Sequence, residues 1–243
     1  MLKRTVDILA SALGLIVTSP ILIGFSMLVW FQDFHSPFYV ADRVGRNGRM
    51  FKMVKLRSMS VGADKSGVNS TAEDDPRVTR VGRWIRSYKL DELTQLWNVL
   101  IGQMSLVGPR PQVKRDVDLY TETEMGLLAV RPGITDLSSI VFSDEGKILE
   151  GVADPDLAYN QLIRPWKSRL GILYVENVSI WLDLKLMVLT ILAIINRASA
   201  LGYVRSILVK LEAETQLVEI CSRATPLYAY PPPGSTEIVT SRY

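Results

Sequence analysis

Carboxylates, lysines and arginines are the only reactive side chains this sequence holds in number, because it contains one cysteine, Cys221, and one histidine, His35. A single cysteine allows no internal disulfide and no thiolate-rich zinc site, which fits a reducing compartment. A single histidine argues against a His pair or a Ser-His-Asp triad, and His35 reads as a polar interface residue. The remaining chemistry gathers in Arg86 to Pro111, RSYKLDELTQLWNVLIGQMSLVGPRP. Two adjacent acids, Asp91 and Glu92, lie between Arg86 and Arg110, and Arg110 sits in a Gly108-Pro109-Arg110-Pro111 turn whose proline φ angles are preset. Paired carboxylates beside a clamped guanidinium suit a metal-bound phosphate. Acids in the first turn of a helix also complement its dipole with no chemical role, so the residues alone leave both readings open.

The element that must position the acids follows from spacing. Leu90, Leu93, Leu96, Trp97, Leu100 and Ile101 recur at a helical period with Asp91, Gln95 and Asn98 opposite, and Gly102 breaks the pattern. The expected helix packs its leucine side and turns Asp91 outward. Residues 36–59 alternate apolar and polar on either side of Arg46-Asn47-Gly48-Arg49, and Asn-Gly predicts a β-hairpin. Its cations Arg43, Arg46, Arg49, Lys52, Lys55 and Arg57 suit either anionic lipid head groups or phosphate within a site, the latter above all for Lys55 and Arg57. Arg131-Pro132-Gly133-Ile134-Thr135 is a second rigid turn that carries an arginine.

No charge occurs from Ile8 to Phe31, a run long enough to cross a bilayer and too long for the apolar core of a signal peptide. A plain spanning helix satisfies the length. Pro20 in its middle, and basic residues on both flanks (Lys3 and Arg4 before, Arg43 to Lys52 after), favour a helix that enters one leaflet, bends at Ser19-Pro20 and returns. The hydroxyls of Thr18 and Ser19 can take up backbone groups that proline leaves unpaired.

Residues 60–76 are rich in Gly, Ser, Asn, Asp and Lys and predict a loop able to cover a substrate. Asp74-Asp75, Asp144-Glu145 and Asp154-Pro155-Asp156 read as turn and helix-start acids. Residues 112–130 are mixed and partly helical, and 157–197 predict helix. Within the latter, Ile180 to Ile195 is interrupted by Asp183 and Lys185, which fits an interfacial helix with Trp181 at head-group depth or a buried core helix. A short helix over 203–220 and an extended or disordered Tyr-Pro tail over 228–234 complete the pattern. At 243 residues the chain can bury one sizeable core. With 28 basic and 25 acidic residues, net +3, the charge gives no ground for nucleic-acid binding.

LDELTQLWNVLIGQMSLVGPRP resembles the signature of the bacterial sugar transferases, the monotopic phosphoglycosyl transferases, where LDELPQ is followed by MSLVGPRP; Thr94 stands in place of the usual proline. Lys3-Arg4-Thr5-Val6-Asp7, Lys55-Leu56-Arg57-Ser58-Met59 and the turn at Arg131 are similar as well, and the likeness ends at Asn196. Asp136-Leu137-Ser138-Ser139-Ile140 departs from members that carry an aromatic and a glutamine there, so their sugar preference is not transferred to this chain. The resemblance implies an α/β, mostly helical, monotopic membrane protein. Its parts would be a re-entrant helix (1–35) kinked at Ser19-Pro20, a cytoplasmic catalytic domain (36–197) with a small hairpin and interfacial amphipathic helices, and a C-terminal extension (198–243). The implied activity moves a sugar 1-phosphate from a UDP-sugar to polyprenyl (undecaprenyl) phosphate and releases UMP. It would open glycoconjugate assembly at the cytoplasmic face of the bacterial inner membrane. By resemblance, Asp91 is the nucleophile and a Mg²⁺ contact, Glu92 positions metal or donor, and Lys55, Arg57, Arg86, Arg110 and Arg131 bind phosphate. Membrane lipids are expected partners, nucleic acid is not, and a homodimer is left open. The competing reading is a non-catalytic, membrane-anchored module that binds lipid head groups; intact Asp91-Glu92 and Gly108-to-Pro111 segments weigh against it.

Overall fold

The uncharged N-terminal run folds as one helix, α1 (Leu2–Asp33), continuous through Pro20 in the computed structural model, which describes residues 2–66, 70–72 and 74–241. Proline cannot donate to the carbonyl of Ile16, and the Ser19 hydroxyl does so instead at 2.8 Å, while Thr18 Oγ1 donates to the Gly14 carbonyl at 2.7 Å. Both hydroxyls therefore serve the backbone as their position beside proline suggested.

Only Asp7, Ser11 and Val29 of α1 are buried, and Leu9, Leu13, Ile16, Val17, Ile23, Met27 and Phe31 are exposed. Both ends are nevertheless tied to the same body. Lys3 Nζ reaches Asp183 Oδ2 at 2.5 Å and the Val107 carbonyl at 3.1 Å, and Arg4 donates to the carbonyls of Val99 and Leu100 at 2.5 and 2.8 Å. Asp7 accepts from Ser105 Oγ at 2.9 Å and from the Leu106 amide at 3.0 Å. At the other end Val29 packs with Leu56 and Ile85, and Arg57 grips Asp33 through two nitrogens at 2.6 and 2.7 Å.

Beyond α1 lie β1 (Phe38–Val44), β2 (Met50–Leu56), α2 (Arg80–Ser87), α3 (Leu90–Leu93), α4 (Gln95–Leu100), β3 (Ser105–Val107), α5 (Lys114–Val117) and α6 (Glu122–Met125). Then come β4 (Gly133–Thr135), α7 (Leu137–Val141), α8 (Glu145–Ile148), α9 (Pro155–Ala158), α10 (Arg164–Glu176), α11 (Ile180–Ile195), α12 (Arg197–Lys210) and α13 (Thr215–Ser222). The chain is thus mostly helical. β1 and β2 pair antiparallel from Phe38↔Leu56 to Val44↔Met50 across a turn in which Asn47 and Gly48 take φ of 57° and 74°, the hairpin that Asn-Gly predicts. β3 and β4 pair in parallel, Ser105↔Gly133 and Val107↔Thr135, a contact without a sequence signal. Past it the two backbones nearly touch: a Cβ on Gly133 would strike the Gly108 amide, and one on Gly108 would strike the Arg131 carbonyl. Close approach, rather than flexibility, demands glycine at both positions, and it sets the turn carrying Arg110 against the turn carrying Arg131.

The main core joins α7, α10, α11, α12 and α13 through Leu137, Ile140, Trp166, Leu170, Leu186, Val204, Leu208 and Ile220. Residues beyond 197 are therefore part of the core. The helix expected over 203–220 is two helices, α12 and α13, and between them Glu212 takes φ 54°. The tail is extended but held in place. Tyr230 stacks on Trp166 with centroids 4.5 Å apart, its amide donates to the Gln161 carbonyl at 3.1 Å, and the Pro233 carbonyl accepts from Thr121 Oγ1 at 2.5 Å. The helical stretch over 157–197 is also divided, by a π-turn at Tyr159–Ile163 and by Ser179, whose hydroxyl caps α11. α11 packs into the core on one face and leaves an apolar face exposed on the other. Leu182, Leu186 and Leu189 enter the core, and Trp181, Val188, Ile191 and Ile195 face outward.

Of the loop expected to cover a substrate, residues 67–69 and 73 lie outside the described residues. Asp75 is a turn acid bound to Arg77, and Asp154 caps α9 through the Leu157 amide at 3.1 Å.

Candidate active site

α2 starts on Thr79, whose Oγ1 accepts from the Gly82 amide at 2.9 Å, and Lys89 then takes the left-handed conformation at φ 55°. That turn redirects the chain so that Asp91 and Glu92 open α3. Thr94 joins α3 to α4, and its hydroxyl donates to the Val54 carbonyl at 2.9 Å. The residue replacing the usual proline therefore ties the acid-bearing helix to β2.

The buried side of this helix differs from the leucine arc drawn above. Gln95 and Asn98 are buried with Leu96 and Val99, whereas Trp97 and Ile101 are 52% and 48% exposed. Asn98 explains the change. It accepts from the Val54 amide at 3.0 Å and donates to the Lys52 carbonyl and Gln103 Oε1, both at 2.7 Å. A carboxamide fully used by its neighbours is stable inside, and it pins β2 to α4.

That pinning brings Lys55 Nζ on β2 to 3.8 Å from Asp91 Oδ2, while Arg110 Nη1 stands 2.8 Å from Glu92 Oε1. The four side chains are 13–32% exposed, recessed yet reachable. Burial raises the pKa of Asp91 and Glu92 adds to the effect; Lys55, Arg110 and Arg86 counter it without cancelling it. For Glu92 burial also pushes upward, but Arg110, Lys55 and Lys89 outweigh it and hold the carboxyl below its ordinary range. Glu92 in turn raises the pKa of Arg110. Burial, seconded by Arg110, brings Lys55 down to about 8. The two neighbouring acids are thus pushed in opposite directions, Asp91 toward the more basic carboxylate and Glu92 toward the anion.

Lys55, Asp91, Glu92 and Arg110 thus form one cluster, with Arg86 acting on Asp91 through its charge. Arg57 and Arg131, expected at the phosphates, are held elsewhere. Arg57 binds Asp33 and the Ser36 carbonyl, and Arg131 donates to the Gly102 carbonyl at 2.8 Å, beyond the far end of α4. Spacing made these two cations look the same as Arg110 because it does not reveal partners. Glu145, expected as a turn acid, is a site neighbour: it pairs with Lys167 and acts on Arg110. Among the described residues no group of three or more His, Cys, Asp or Glu side chains is placed to hold a metal.

A sequence model of the bacterial sugar transferase family matches residues 1–197. The chain belongs to the bacterial sugar transferase family. In family terms, α1 through α11 and the whole acid-cation cluster lie within the match, and α12, α13 and the tail add to it. The exopolysaccharide production protein ExoY of Rhizobium meliloti is 34% identical over 209 residues, 80% of this chain and 85% of its own. A UDP-glucose:undecaprenyl-phosphate glucose-1-phosphate transferase of Klebsiella pneumoniae is 37% identical over 193 residues, 78% of this chain and 39% of its own. The galactosyl transferase CpsE of Streptococcus agalactiae is 34% identical over 200 residues, 78% and 41%. Against CpsE and two further curated relatives that it matches, the chain spans 41, 42 and 62% of their length.

Proposed function

We infer that this family member transfers a sugar 1-phosphate from a UDP-sugar to undecaprenyl phosphate and releases UMP, the first step in building a surface glycan. The observation that carries the reading is the cluster itself: a basic Asp91 beside Lys55 and an anionic Glu92 locked to Arg110. Relatives named as an undecaprenyl-phosphate glucose-1-phosphate transferase and an undecaprenyl-phosphate galactose phosphotransferase support it. Asp91 Oδ attacks the β-phosphorus of the donor, the bond to the α-phosphoryl oxygen breaks, and UMP leaves with the electron pair. A phosphate oxygen of the lipid then attacks the phosphorus bound to Asp91, which departs as a carboxylate. Arg110, Lys55 and Arg86 offset the negative charge that builds on the transferring phosphoryl group. Asp91 and Glu92, adjacent carboxylates that are recessed yet reachable, would suit Mg²⁺, which takes one or two carboxylates and completes its shell with phosphate oxygens and water. Bound there, Mg²⁺ supplies charge neutralisation at the diphosphate.

Incubation with a panel of UDP-sugars, Mg²⁺ and undecaprenyl phosphate should release UMP. Release of UDP instead would mean transfer of the sugar without its phosphate and would end this reading. The charge state of Lys55 adds a pH dependence. With its pKa lowered from 10.5 to about 8, the ammonium is present below that pH and lost above it. The kcat/KM for donor should therefore fall as pH rises through about 8. Lys55→Arg should move that limb upward; an unmoved limb would assign it to another group.

The same proposal places the protein on the cytoplasmic face of the inner membrane, with α1 re-entrant about Ser19-Pro20. Support comes from the two docked ends of α1, its exposed apolar flank and the outward stripe of α11. Cysteines introduced singly at Leu2 and Ser36 should both react with an impermeant maleimide from the cytoplasmic side, against a quiet background because Cys221 is buried. Reaction from opposite sides would make α1 a simple span.

A further inference from the structure

We propose that the cleft behind Arg110 receives the sugar of the nucleotide donor and that Asp116 reads its hydroxyl groups, an inference that rests on the transfer reaction proposed above. A shallow cleft, open to solvent, begins at Pro109 and Arg110 and is walled by Gln112, Asp116, Tyr159 and Lys167. Arg110 belongs to both places: it holds Glu92 on one side and lines the cleft on the other. A sugar attached to the phosphorus that Asp91 attacks is one bond from the group Arg110 binds.

The polar inventory of the walls favours a polyhydroxyl ligand. Gln112 Nε2 donates to the Tyr159 hydroxyl at 3.3 Å, and Lys167 pairs with Glu145 and lies 5.5 Å from the centre of the Tyr159 ring. At the rear, Asp136 already accepts from Ser138 and Ser139. Asp116 differs from all of these. It is half-buried, burial leads the upward push on its pKa, and among the described residues its carboxylate takes part in no hydrogen bond or ion pair. Arg115, Arg164 and Arg43 act on it through charge alone, so an acceptor-only group at the cleft wall is left open to a ligand that brings hydrogen-bond donors. A hexose supplies O–H donors around its ring and an apolar C–H face for Tyr159. Uracil supplies one N–H flanked by two carbonyl oxygens, which a carboxylate would repel.

Asp116→Asn and Asp116→Ala, made in the full-length membrane-extracted protein, test the idea against UDP-linked hexoses and N-acetylhexosamines, with UMP as a competing inhibitor. KM for the preferred donor should rise at least about tenfold and the ranking of donors should flatten, while inhibition by UMP stays unchanged. Weakened UMP inhibition in step with KM would put the nucleoside in the cleft and overturn the proposal. An unchanged ranking in a folded, active variant would also overturn it and leave the transfer reaction standing. Should thermal unfolding show that the Asp116 variants do not fold, Tyr159→Phe carries the test, with the same direction of change expected and the same two outcomes against it. A wild-type protein that takes sugar phosphate from no UDP-sugar removes the transfer reaction and this inference with it.

Discussion

Asp91→Asn should abolish sugar-phosphate transfer, by on the order of 10³-fold or more, in a protein that still folds. The amide keeps the shape of the side chain but has no oxygen able to form and release a bond to phosphorus. Folding should survive because burial already disfavours the charged form of Asp91, so a neutral isostere removes an unfavourable burial rather than a needed charge. The partner left behind, Lys55, can shed its proton at mild pH, since its pKa stands at about 8. Two measurements check the claim. UMP release should vanish in the variant, and donor labelled in its sugar should mark the wild-type protein in the absence of lipid acceptor but leave the variant unmarked. Full activity in Asp91→Asn would take Asp91 out of the chemistry.

Glu124→Ala should produce the largest loss of stability. Glu124 is fully buried, and its two oxygens accept from Arg164 Nε at 3.1 Å and Nη2 at 2.6 Å, from Ser168 Oγ at 2.6 Å and from the Thr121 amide at 3.1 Å. Arg164 is itself 4% exposed. Removing the acid leaves a buried guanidinium whose remaining hydrogen bonds go to the Leu119 carbonyl and Asn160, both neutral. Breaking one side of a buried pair costs about 3–5 kcal/mol. In a domain of this size that lowers Tm by roughly 6–20 °C. Thermal unfolding in detergent measures it, and a shift of under roughly 2 °C would mean that Arg164 finds another partner. Arg164 and Ser168 also line the cleft beside Arg110, so activity should weaken with stability.

The acid-cation cluster of the candidate site was readable where local spacing fixed it. Asp91, Glu92 and Arg110 lie in one stretch with a helical period and a proline turn, and Lys55 lies on a hairpin that Asn-Gly announces. What escaped reading depends on partners distant in sequence. Arg57 and Arg131 carry the same charge as Arg110, and only the folded chain shows that Asp33 and the Gly102 carbonyl hold them. Gln95 and Asn98 look like surface residues until β2 is placed against them. The β3–β4 pairing involves three residues on each side, too short for a period to register, and rests on two glycines whose backbones touch. Glu145, Tyr159 and Lys167 reach the neighbourhood of Arg110 from segments 35 to 57 residues onward, where no motif connects them.

α1 is fastened to the body by its first residues and again by its last. Deleting it to obtain a water-soluble enzyme would leave Arg57 without Asp33, Asp183 without Lys3, and the Ser105 hydroxyl without Asp7. Exchanging it for another apolar segment of equal length would lose a girder as well. α1 and the body it docks on are therefore a single folding unit.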